Sequence, residues 1–259
     1  MKKTITAFIA LVFVAVLVLG LAACGQKSEK LVLGFDAEFP PYGYEDNGEF
    51  VGFDIEYAKK VCANLGYELE LKPIDWDAKD SLLNSGAIDF IWNGFTYEGR
   101  ENDYEWSVKY LDNSIVVLTL DNSIKSLSDL AGKAVAVQSD SSGEAALESN
   151  SELTKTFKGG AFALESDYTT AATKLVAGSY DAIVVDIGVA KYLKGANSSL
   201  IIVEEEVSKE TYAVGFKKGN AELCKKISDE MVKVAGDVSF IKSLCEKYGV
   251  DYNSFLLGK

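Results

Sequence analysis

Short apolar runs alternate along the chain with segments that carry the spacing of a helix. Residues 31–35 are an apolar run that predicts a buried strand, and apolar residues between 54 and 66 recur at helical spacing. Residues 68–74 alternate like a second strand, and residues 78–84 read as a short helix. This alternation predicts an α/β fold with parallel sheets.

The same alternation continues through the second half of the sequence. Residues 134–138 predict a strand, and residues 212–216 predict another through which the chain returns. Two helical segments, 221–235 and 238–248, close the pattern.

A weak internal repeat organises these elements. Residues 82–91 can be aligned with residues 174–183. Each segment contains the end of a helix, then a glycine, then an aspartate that precedes a short apolar strand. Eight residues after the glycine, the first copy reaches Gly94 and the second reaches Asp186. Ligands of open α/β sheets lie beyond the carboxyl ends of the strands. The repeat therefore predicts two similar lobes that each offer a strand end to one cleft.

The first residues predict a targeting segment. Lys2 and Lys3 precede an almost wholly apolar stretch, 7–20, which is long enough to be a secretory signal or a membrane-spanning helix. Leu-Ala-Ala-Cys at residues 21–24 resembles the bacterial lipobox and favours the signal. We expect a lipoprotein-type signal peptide over 1–23, lipidation of Cys24 and a tether over 24–30. The protein would then be anchored by lipid to the outer face of the cell membrane.

The remaining chain divides into two expected lobes. We expect lobe 1 to comprise residues 31–112 plus 213–259 and lobe 2 to comprise residues 113–212. The chain would cross between them twice, which predicts a hinge of two segments.

Composition excludes several functions. The net charge of −13 argues against nucleic acid as a partner, because affinity for nucleic acid depends on neutralising phosphates. The absence of histidine excludes Ser-His-Asp and Cys-His catalysis and leaves few ways to build a zinc site. The acidic cluster at residues 75–80 lacks the glycine and the terminal glutamate of a calcium loop. No metal or cofactor is expected.

Three cysteines follow Cys24, and they are Cys62, Cys224 and Cys245. An odd number cannot all pair within the chain, so at least one is expected to be a buried thiol. A bridge between Cys224 and Cys245 stays open.

Arg100 is the only arginine among 26 basic residues. Guanidinium offers a planar fork that grips a carboxylate or phosphate with two hydrogen bonds, which lysine cannot do. Arg100 is therefore a candidate anion-binding residue, and the alternative is that the host simply avoids arginine.

Several short motifs occur in a fixed order. They are Gly34-Phe35-Asp36, Pro41, Gly52-Phe53-Asp54-Ile55, Trp76-Asp77, Gly86, Asp89, Arg100, Trp106-Ser107 and Val184-Val185-Asp186. Together they resemble the bacterial solute-binding proteins that supply polar amino acids to ABC transporters, over essentially the whole mature chain. The resemblance implies a two-lobed periplasmic-binding-protein-like (Venus flytrap) fold that closes on a free L-amino acid. It also implies an ABC transporter permease as partner, and we expect a monomer.

The resemblance also implies roles for the ends of the ligand. Arg100 would clamp the α-carboxylate, assisted by Thr96 and the backbone near Gly94. Ser141 and Ser142, at the start of a helix, would contribute donors from the other lobe, although the sequence alone favours a plain helix cap for one of the two.

Asp186 would accept hydrogen bonds from the α-ammonium. The alternative for this residue is a solvated strand end.

The implied side-chain pocket consists of Asp36, Phe39, Trp76 and Gln138. Asp36 would suit a cationic or amide side chain. The alternative for Phe39 and Trp76 is a purely structural role in the hydrophobic core. Which amino acid binds stays open.

Two departures from the family pattern stand out. The segment between Thr96 and Arg100 is one residue shorter than usual, which weakens the prediction for Thr96 more than that for Arg100. Asp140 stands where glycine is common and would add negative charge beside the carboxylate site unless its side chain points away.

Two other functions fit parts of the sequence. One is an enzyme on the same scaffold that resembles the secreted cyclohexadienyl dehydratases, and the ammonium partner Asp186 argues against it. A sensory ligand-binding module is disfavoured because no second membrane segment or signalling domain follows. The sequence thus predicts a binding protein without catalysis.

Overall fold

The structure is a computed structural model that describes residues 29–258. The predictions for the signal peptide, for Cys24 and for most of the tether lie outside these residues. The strands are β1 (Lys30–Phe35), β2 (Glu38–Phe39), β3 (Gly43–Asp46), β4 (Glu49–Val51), β5 (Glu68–Pro73), β6 (Phe90–Ile91), β7 (Tyr104–Trp106), β8 (Leu111–Thr119), β9 (Val135–Gln138), β10 (Ala163–Glu165), β11 (Ala182–Asp186), β12 (Ile201–Ile202), β13 (Ser208–Tyr212) and β14 (Gly215–Lys217). The α-helices are α1 (Phe53–Asn64), α2 (Lys79–Ser85), α3 (Ser142–Ser149), α4 (Ser151–Thr154), α5 (Tyr168–Val176), α6 (Ile187–Ala196), α7 (Ala221–Ala235) and α8 (Val238–Tyr248).

Each of two lobes is built on its own sheet. The first sheet has the order β5-β1-β6-β14-β7, and the second has the order β10-β9-β11-β8-β12, with β13 paired to β8. The chain passes from β7 to β8 into the second sheet and returns from β13 to β14. This is the expected two-lobed α/β fold with two crossings.

The prediction of parallel sheets is correct only for the strands that are joined by helices. β1 pairs in parallel with β5 and β6, and β9 pairs in parallel with β10 and β11. β8, β12, β13, β14 and β7 run antiparallel to their neighbours. The reason is that the crossing segments bring the chain back in the opposite direction without an intervening helix.

The internal repeat has a structural basis. Asp89 Oδ2 accepts a hydrogen bond of 2.7 Å from the backbone N–H of Val32, and Asp181 Oδ2 accepts one of 2.7 Å from the N–H of Ala134. Each aspartate therefore ties the start of its own strand to the neighbouring parallel strand. Gly86 and Gly178 precede them with φ angles of 78° and 79°, where a residue with a side chain would be strained.

The helices follow local signals in the sequence. α7 and α8 have the bounds predicted from their apolar spacing. The side chain of Asp237 caps α8 by accepting from the N–H of Phe240, and Gly249 ends that helix in the left-handed conformation. Their buried faces pack against α1 and complete the core of the first lobe.

The three cysteines in the described part of the chain form no disulfide. Cys62, Cys224 and Cys245 are all buried, so the bridge between Cys224 and Cys245 that the sequence left open is absent from this structure. Burial raises the pKa of the Cys62 thiol to about 12 and that of the Cys224 thiol to about 11. Both thiols thus belong to the core. Separately, none of the helices within residues 29–258 has the length and apolar character needed to cross a membrane.

Candidate functional site

A narrow cavity of about 20 Å³ lies between the two lobes. Every residue that the sequence proposed as a ligand contact lines it, and the structure adds Asn93 and Tyr168. The lining is Asp36, Phe39, Trp76, Asn93, Gly94, Thr96, Arg100, Gln138, Ser141, Ser142, Tyr168 and Asp186. Lobe 1 contributes the residues up to Arg100, and lobe 2 contributes the rest.

Arg100 is held in place on two sides. Its guanidinium carbon lies 5.3 Å from the centre of the Phe95 ring, and Nη2 donates a hydrogen bond of 3.2 Å to the backbone carbonyl of Asp140 in the other lobe. The indole N–H of Trp106 donates to the carbonyl of Arg100 at 3.1 Å. This leaves most of the five guanidinium N–H groups for a ligand in the cavity.

Gly94 brings backbone to the cavity wall. Its φ is 56°, and a Cβ atom there would lie 2.7 Å from the ring of Phe39. Its N–H donates to Asp54 Oδ2 at 2.6 Å, and the hydroxyl of Tyr110 donates to the same oxygen at 2.8 Å. Burial nevertheless raises the pKa of Asp54 to about 7. Asp54 therefore fixes the strand end that carries the site.

Asn93 was missed by sequence reasoning although it precedes Gly94. Its Oδ1 accepts from the backbone N–H of Asp36 at 2.9 Å, while its Nδ2 has no hydrogen-bond partner in the described chain. Asn93 thus lines the cavity while its buried amide nitrogen is left without a hydrogen-bond acceptor in the described chain.

Asp186 ends β11 and is almost fully buried, with 3 % of its surface exposed. Its Oδ1 accepts from Asn113 Nδ2 at 2.8 Å and from the hydroxyl of Tyr212. Burial and the nearby carboxylate of Glu210 both raise the pKa of Asp186. A cation in the cavity would lower that pKa again and stabilise the ionised form.

Ser141 and Ser142 stand where α3 begins. The hydroxyl of Ser141 caps the helix: it accepts from the N–H of Glu144 at 3.1 Å and donates to the carbonyl of Gln138 at 2.7 Å. The capping role that the sequence allowed therefore belongs to Ser141. Ser142 is the first residue of the helix, where a backbone N–H lacks an intrahelical partner.

Asp36 and Gln138 meet across the cleft. Gln138 Nε2 donates to Asp36 Oδ2 at 2.7 Å, and the N–H of Glu38 donates to Asp36 Oδ1 at 2.8 Å. Burial raises the pKa of Asp36 to about 6, against the lowering effect of these two hydrogen bonds. Asp36 therefore places a carboxyl group in the cavity wall of lobe 1, opposite Gln138 of lobe 2.

Aromatic rings form two walls of the cavity. Phe39 stacks on Tyr42 at 5.6 Å and meets Tyr168 at 5.9 Å, and Trp76 stands edge-on to Phe95 at 5.5 Å. Phe39 and Trp76 thus belong to the packed interior and also line the cavity. The core role and the pocket role that the sequence suggested are therefore compatible. Tyr168 carried no signal in the sequence beyond following its helix cap Asp167.

Asp140 does not point into the cavity. Its backbone has a φ of 57°, and its half-exposed carboxylate forms a salt bridge with Lys79 of lobe 1, whose side chain is 1 % exposed. Lys79 Nζ also lies 3.3 Å from the carbonyl of Asp140. The carboxylate of Asp140, at the position where glycine is expected, therefore forms a salt bridge between the two lobes.

The part of the cavity that contains Asp36 and Trp76 adjoins an outer cleft of acidic character. Its charged residues are Asp36, Glu38, Asp75 and Asp167. No lysine or arginine lines this cleft in the described chain. No group of three or more acidic or cysteine residues in residues 29–258 is arranged to hold a metal ion.

The chain is similar to known proteins. Residues 31–251 match the family described as bacterial extracellular solute-binding proteins, family 3. The L-cystine-binding protein TcyJ of Escherichia coli K12 is 30 % identical over 228 residues, covering 85 % of this chain and 83 % of that protein.

Two solved structures are also similar. A substrate-binding protein of an ABC uptake transporter from Streptococcus pneumoniae with bound histidine superposes with a TM-score of 0.82 at 28 % identity, over 89 % of this chain and 95 % of that one. An ancestral arginine-binding protein bound to arginine gives a TM-score of 0.76 at 35 % identity, over 85 % of this chain and 97 % of that one.

The family and these relatives are substrate-binding proteins, so the dehydratase alternative is not supported. The chain belongs to the bacterial extracellular solute-binding proteins of family 3, and it is a binding protein rather than an enzyme.

Proposed function

We propose that this protein captures a free polar amino acid outside the cell and delivers it to the permease of an ABC transporter. The observation that carries the proposal is that a guanidinium and a carboxyl group, those of Arg100 from lobe 1 and Asp186 from lobe 2, line one cavity. A free amino acid carries the complementary charges on its carboxylate and ammonium groups.

The carboxylate would lie against Arg100. The guanidinium can donate two parallel hydrogen bonds to it, and the hydroxyl of Thr96 and the backbone around Gly94 lie on the same wall. The first N–H groups of α3, beginning at Ser142, add donors from the other lobe. The ammonium would lie against Asp186.

The side chain would extend toward Asp36. Its buried carboxylate and the acidic outer cleft favour a cationic side chain over an acidic one, and Phe39 and Trp76 offer apolar walls to the methylene groups. The two similar solved structures hold histidine and arginine, which supports a cationic side chain, whereas the relative TcyJ is named for cystine. The preferred ligand would thus be a cationic amino acid, with an amide side chain as the next choice.

Ligand binding would favour the closed arrangement of the lobes. Gln138 reaches Asp36, Arg100 reaches Asp140 and Lys79 pairs with Asp140, so both lobes contribute to the same contacts. A ligand that is held from both sides stabilises that arrangement relative to an open one, and the permease would recognise the closed state.

The protein would be held at the membrane through Cys24. The lipobox-like sequence at 21–24 supports this, and the short tether would keep the lobes near the permease. Metabolic labelling with a palmitate analogue should mark the wild-type chain and leave a Cys24→Ala variant unmarked. Equal labelling of both chains would contradict the anchor.

A thermal-shift screen of the purified protein against the twenty common amino acids tests the proposed capture. A ligand that binds only the folded protein raises its melting temperature, because at about 100 times Kd it adds about 2.7 kcal/mol to the free energy of unfolding. We expect the largest shift with arginine or lysine and none with aspartate. Absence of a shift with all twenty amino acids would contradict the proposal.

A further inference from the structure

Lys79 is a buried cation at the contact between the lobes. Its side chain is 1 % exposed, whereas every other lysine that forms a salt bridge within residues 29–258 has a side chain that is at least 29 % exposed. A buried ammonium is costly unless its charge is paired and its N–H groups are hydrogen-bonded. The partners of Lys79 therefore decide whether this burial is stable.

Most partners of the Lys79 ammonium belong to the other lobe. Within lobe 1, Nζ donates to the carbonyl of Trp76 at 3.4 Å, and it lies 5.1 Å from the centre of the Trp76 ring. Across the cleft, Nζ donates to the carbonyl of Asp140 at 3.3 Å and to the carboxylate of the same residue. Separation of the lobes would break both contacts with Asp140 and leave the ammonium to water.

Asp140 is held in place by its own lobe. Its backbone N–H donates to Glu144 Oε2 at 2.5 Å, and its φ of 57° lies in the left-handed region. Glu144 belongs to the first turn of α3, which the side chain of Ser141 caps. The start of α3 thus directs both the carbonyl and the carboxylate of Asp140 toward lobe 1.

The carbonyl of Asp140 also accepts a hydrogen bond from Arg100. The distance to Nη2 is 3.2 Å, so one oxygen atom accepts from two cations of lobe 1. The positive charges of Lys79 and Arg100 repel each other, and Asp140 supplies the one salt bridge of Lys79 in the described chain. The carboxylate of Asp140 therefore balances positive charge beside the proposed carboxylate anchor.

Neither Lys79 nor Asp140 lines the cavity of the proposed ligand. Both line a second cleft, and Arg100 is the one residue that this cleft shares with the cavity. The other charged residues of the second cleft are Asp80, Asp103, Lys217 and Lys218. Asp140 also lines a cleft that shares Thr96, Arg100, Ser141 and Ser142 with the cavity. The pair thus lies next to the ligand site but outside its walls.

We propose that Asp140 determines ligand affinity without touching the ligand: its carboxylate compensates the charge of Lys79, which closure of the lobes buries beside Arg100. This inference rests on the proposed function. It adds to that function a residue pair whose contribution depends on closure and not on ligand contact.

The unequal burial of the pair predicts unequal effects of its two halves. Loss of the Asp140 charge leaves a buried ammonium without its counter-charge, which disfavours the closed arrangement. Loss of the Lys79 charge leaves a carboxylate whose side chain is 50 % exposed, so water still solvates it. An apolar side chain of similar length would fill the space of Lys79 without a charge to compensate.

The test measures Kd by calorimetric titration, using the amino acid that gives the largest thermal shift. Asparagine tolerates the left-handed backbone and keeps the carbonyl, so Asp140→Asn removes the charge alone. It should weaken binding about tenfold. Lys79→Met should stay within about threefold of wild type, and in that background Asp140→Asn should change Kd by less than about threefold.

Kinetics and stability separate this role from a purely structural one. The bridge forms after the ligand has entered, so Asp140→Asn should raise the dissociation rate about tenfold and leave the association rate within about threefold of wild type. The melting temperature without ligand should match that of wild type, because the open lobes do not share the bridge.

Asp229→Asn is the matched control. Asp229 pairs with Lys225 within α7, and its side chain is 56 % exposed, close to the exposure of Asp140. The lysine of this pair is exposed, so its charge needs no partner. Asp229→Asn should therefore keep the Kd and both rates of wild type.

Wild-type affinity in Asp140→Asn would overturn the inference. An equal loss of affinity on adding Asp140→Asn to Lys79→Met would also overturn it, because the effect would not act through Lys79. If Lys79→Met does not fold, the Kd and dissociation rate of Asp140→Asn against those of Asp229→Asn decide alone. A wild type that binds none of the twenty amino acids would refute the proposed function instead.

Discussion

Arg100→Lys is expected to weaken amino-acid binding by about 2–3 kcal/mol, or roughly 30- to 150-fold, while the protein stays folded. Lysine keeps the positive charge but loses the planar fork, so one of the two parallel hydrogen bonds to the ligand carboxylate is lost. The fold should tolerate the change because the guanidinium makes one hydrogen bond to protein in the described chain, to the carbonyl of Asp140. Calorimetric titration gives the affinity, and a melting curve without ligand gives the stability.

A matched control isolates the geometry from the charge. Lys209 has a side chain that is 83 % exposed, and it lies near the cavity without lining it. Lys209→Ala removes a whole charge and should change affinity by less than about threefold. If Arg100→Lys bound as tightly as wild type, the carboxylate anchor would be misassigned.

Asp36→Asn is expected to reverse the preference for a cationic side chain. The variant should lose about 1.5–3 kcal/mol of affinity for arginine or lysine, because a charge-assisted contact becomes a neutral one, and should lose much less for glutamine. The measurement is a set of titrations of both proteins with arginine, lysine and glutamine.

Asp36→Asn should also differ from wild type in the pH dependence of its ligand affinity. Burial raises the pKa of Asp36 to about 6, so its negative charge is present above that pH and is lost as pH falls through it. A cationic ligand favours the ionised form and lowers that pKa again, so wild-type affinity should decline as pH falls below about 6. Asp36→Asn should show no such decline.

Asp77→Asn serves as the control, because Asp77 is exposed and lines neither the cavity nor the outer cleft. It should keep the wild-type preference and pH profile. Equal losses for arginine and glutamine in Asp36→Asn would show that Asp36 supports the pocket without selecting the side chain.

Arg100, Gly94 and Asp186 could be located from the sequence because each carries a local signal. Arg100 is unique in composition, and the other two occupy the same position after the glycine of each repeat. Since repeated units fold alike, equivalent positions reach equivalent strand ends. The cavity lining brings all three together.

Glu210 and Tyr168 could not be found in this way. Glu210 reaches the site because β13 pairs with β8 in a register that sets Glu210 opposite Asn113, almost a hundred residues away along the chain. Such long-range pairing leaves no mark on neighbouring residues. The antiparallel strands were mispredicted for the same reason, since helical spacing between strands indicates parallel pairing only where a helix joins them.

Asp140 illustrates a physical limit of sequence reasoning. Its charge suggested repulsion of a ligand carboxylate, but whether a side chain faces a cavity depends on the backbone and on a partner. Here the left-handed backbone and the buried Lys79 direct the carboxylate into a bridge between the lobes. Neither determinant is visible in the neighbouring sequence.

A crystal structure of the protein with the amino acid that gives the largest thermal shift tests the central claim most directly. The claim predicts one amino acid in the cavity between the lobes, its carboxylate bound by two nitrogens of Arg100 and its ammonium within hydrogen-bond distance of Asp186. A ligand bound in the reverse orientation, or outside this cavity, would contradict it.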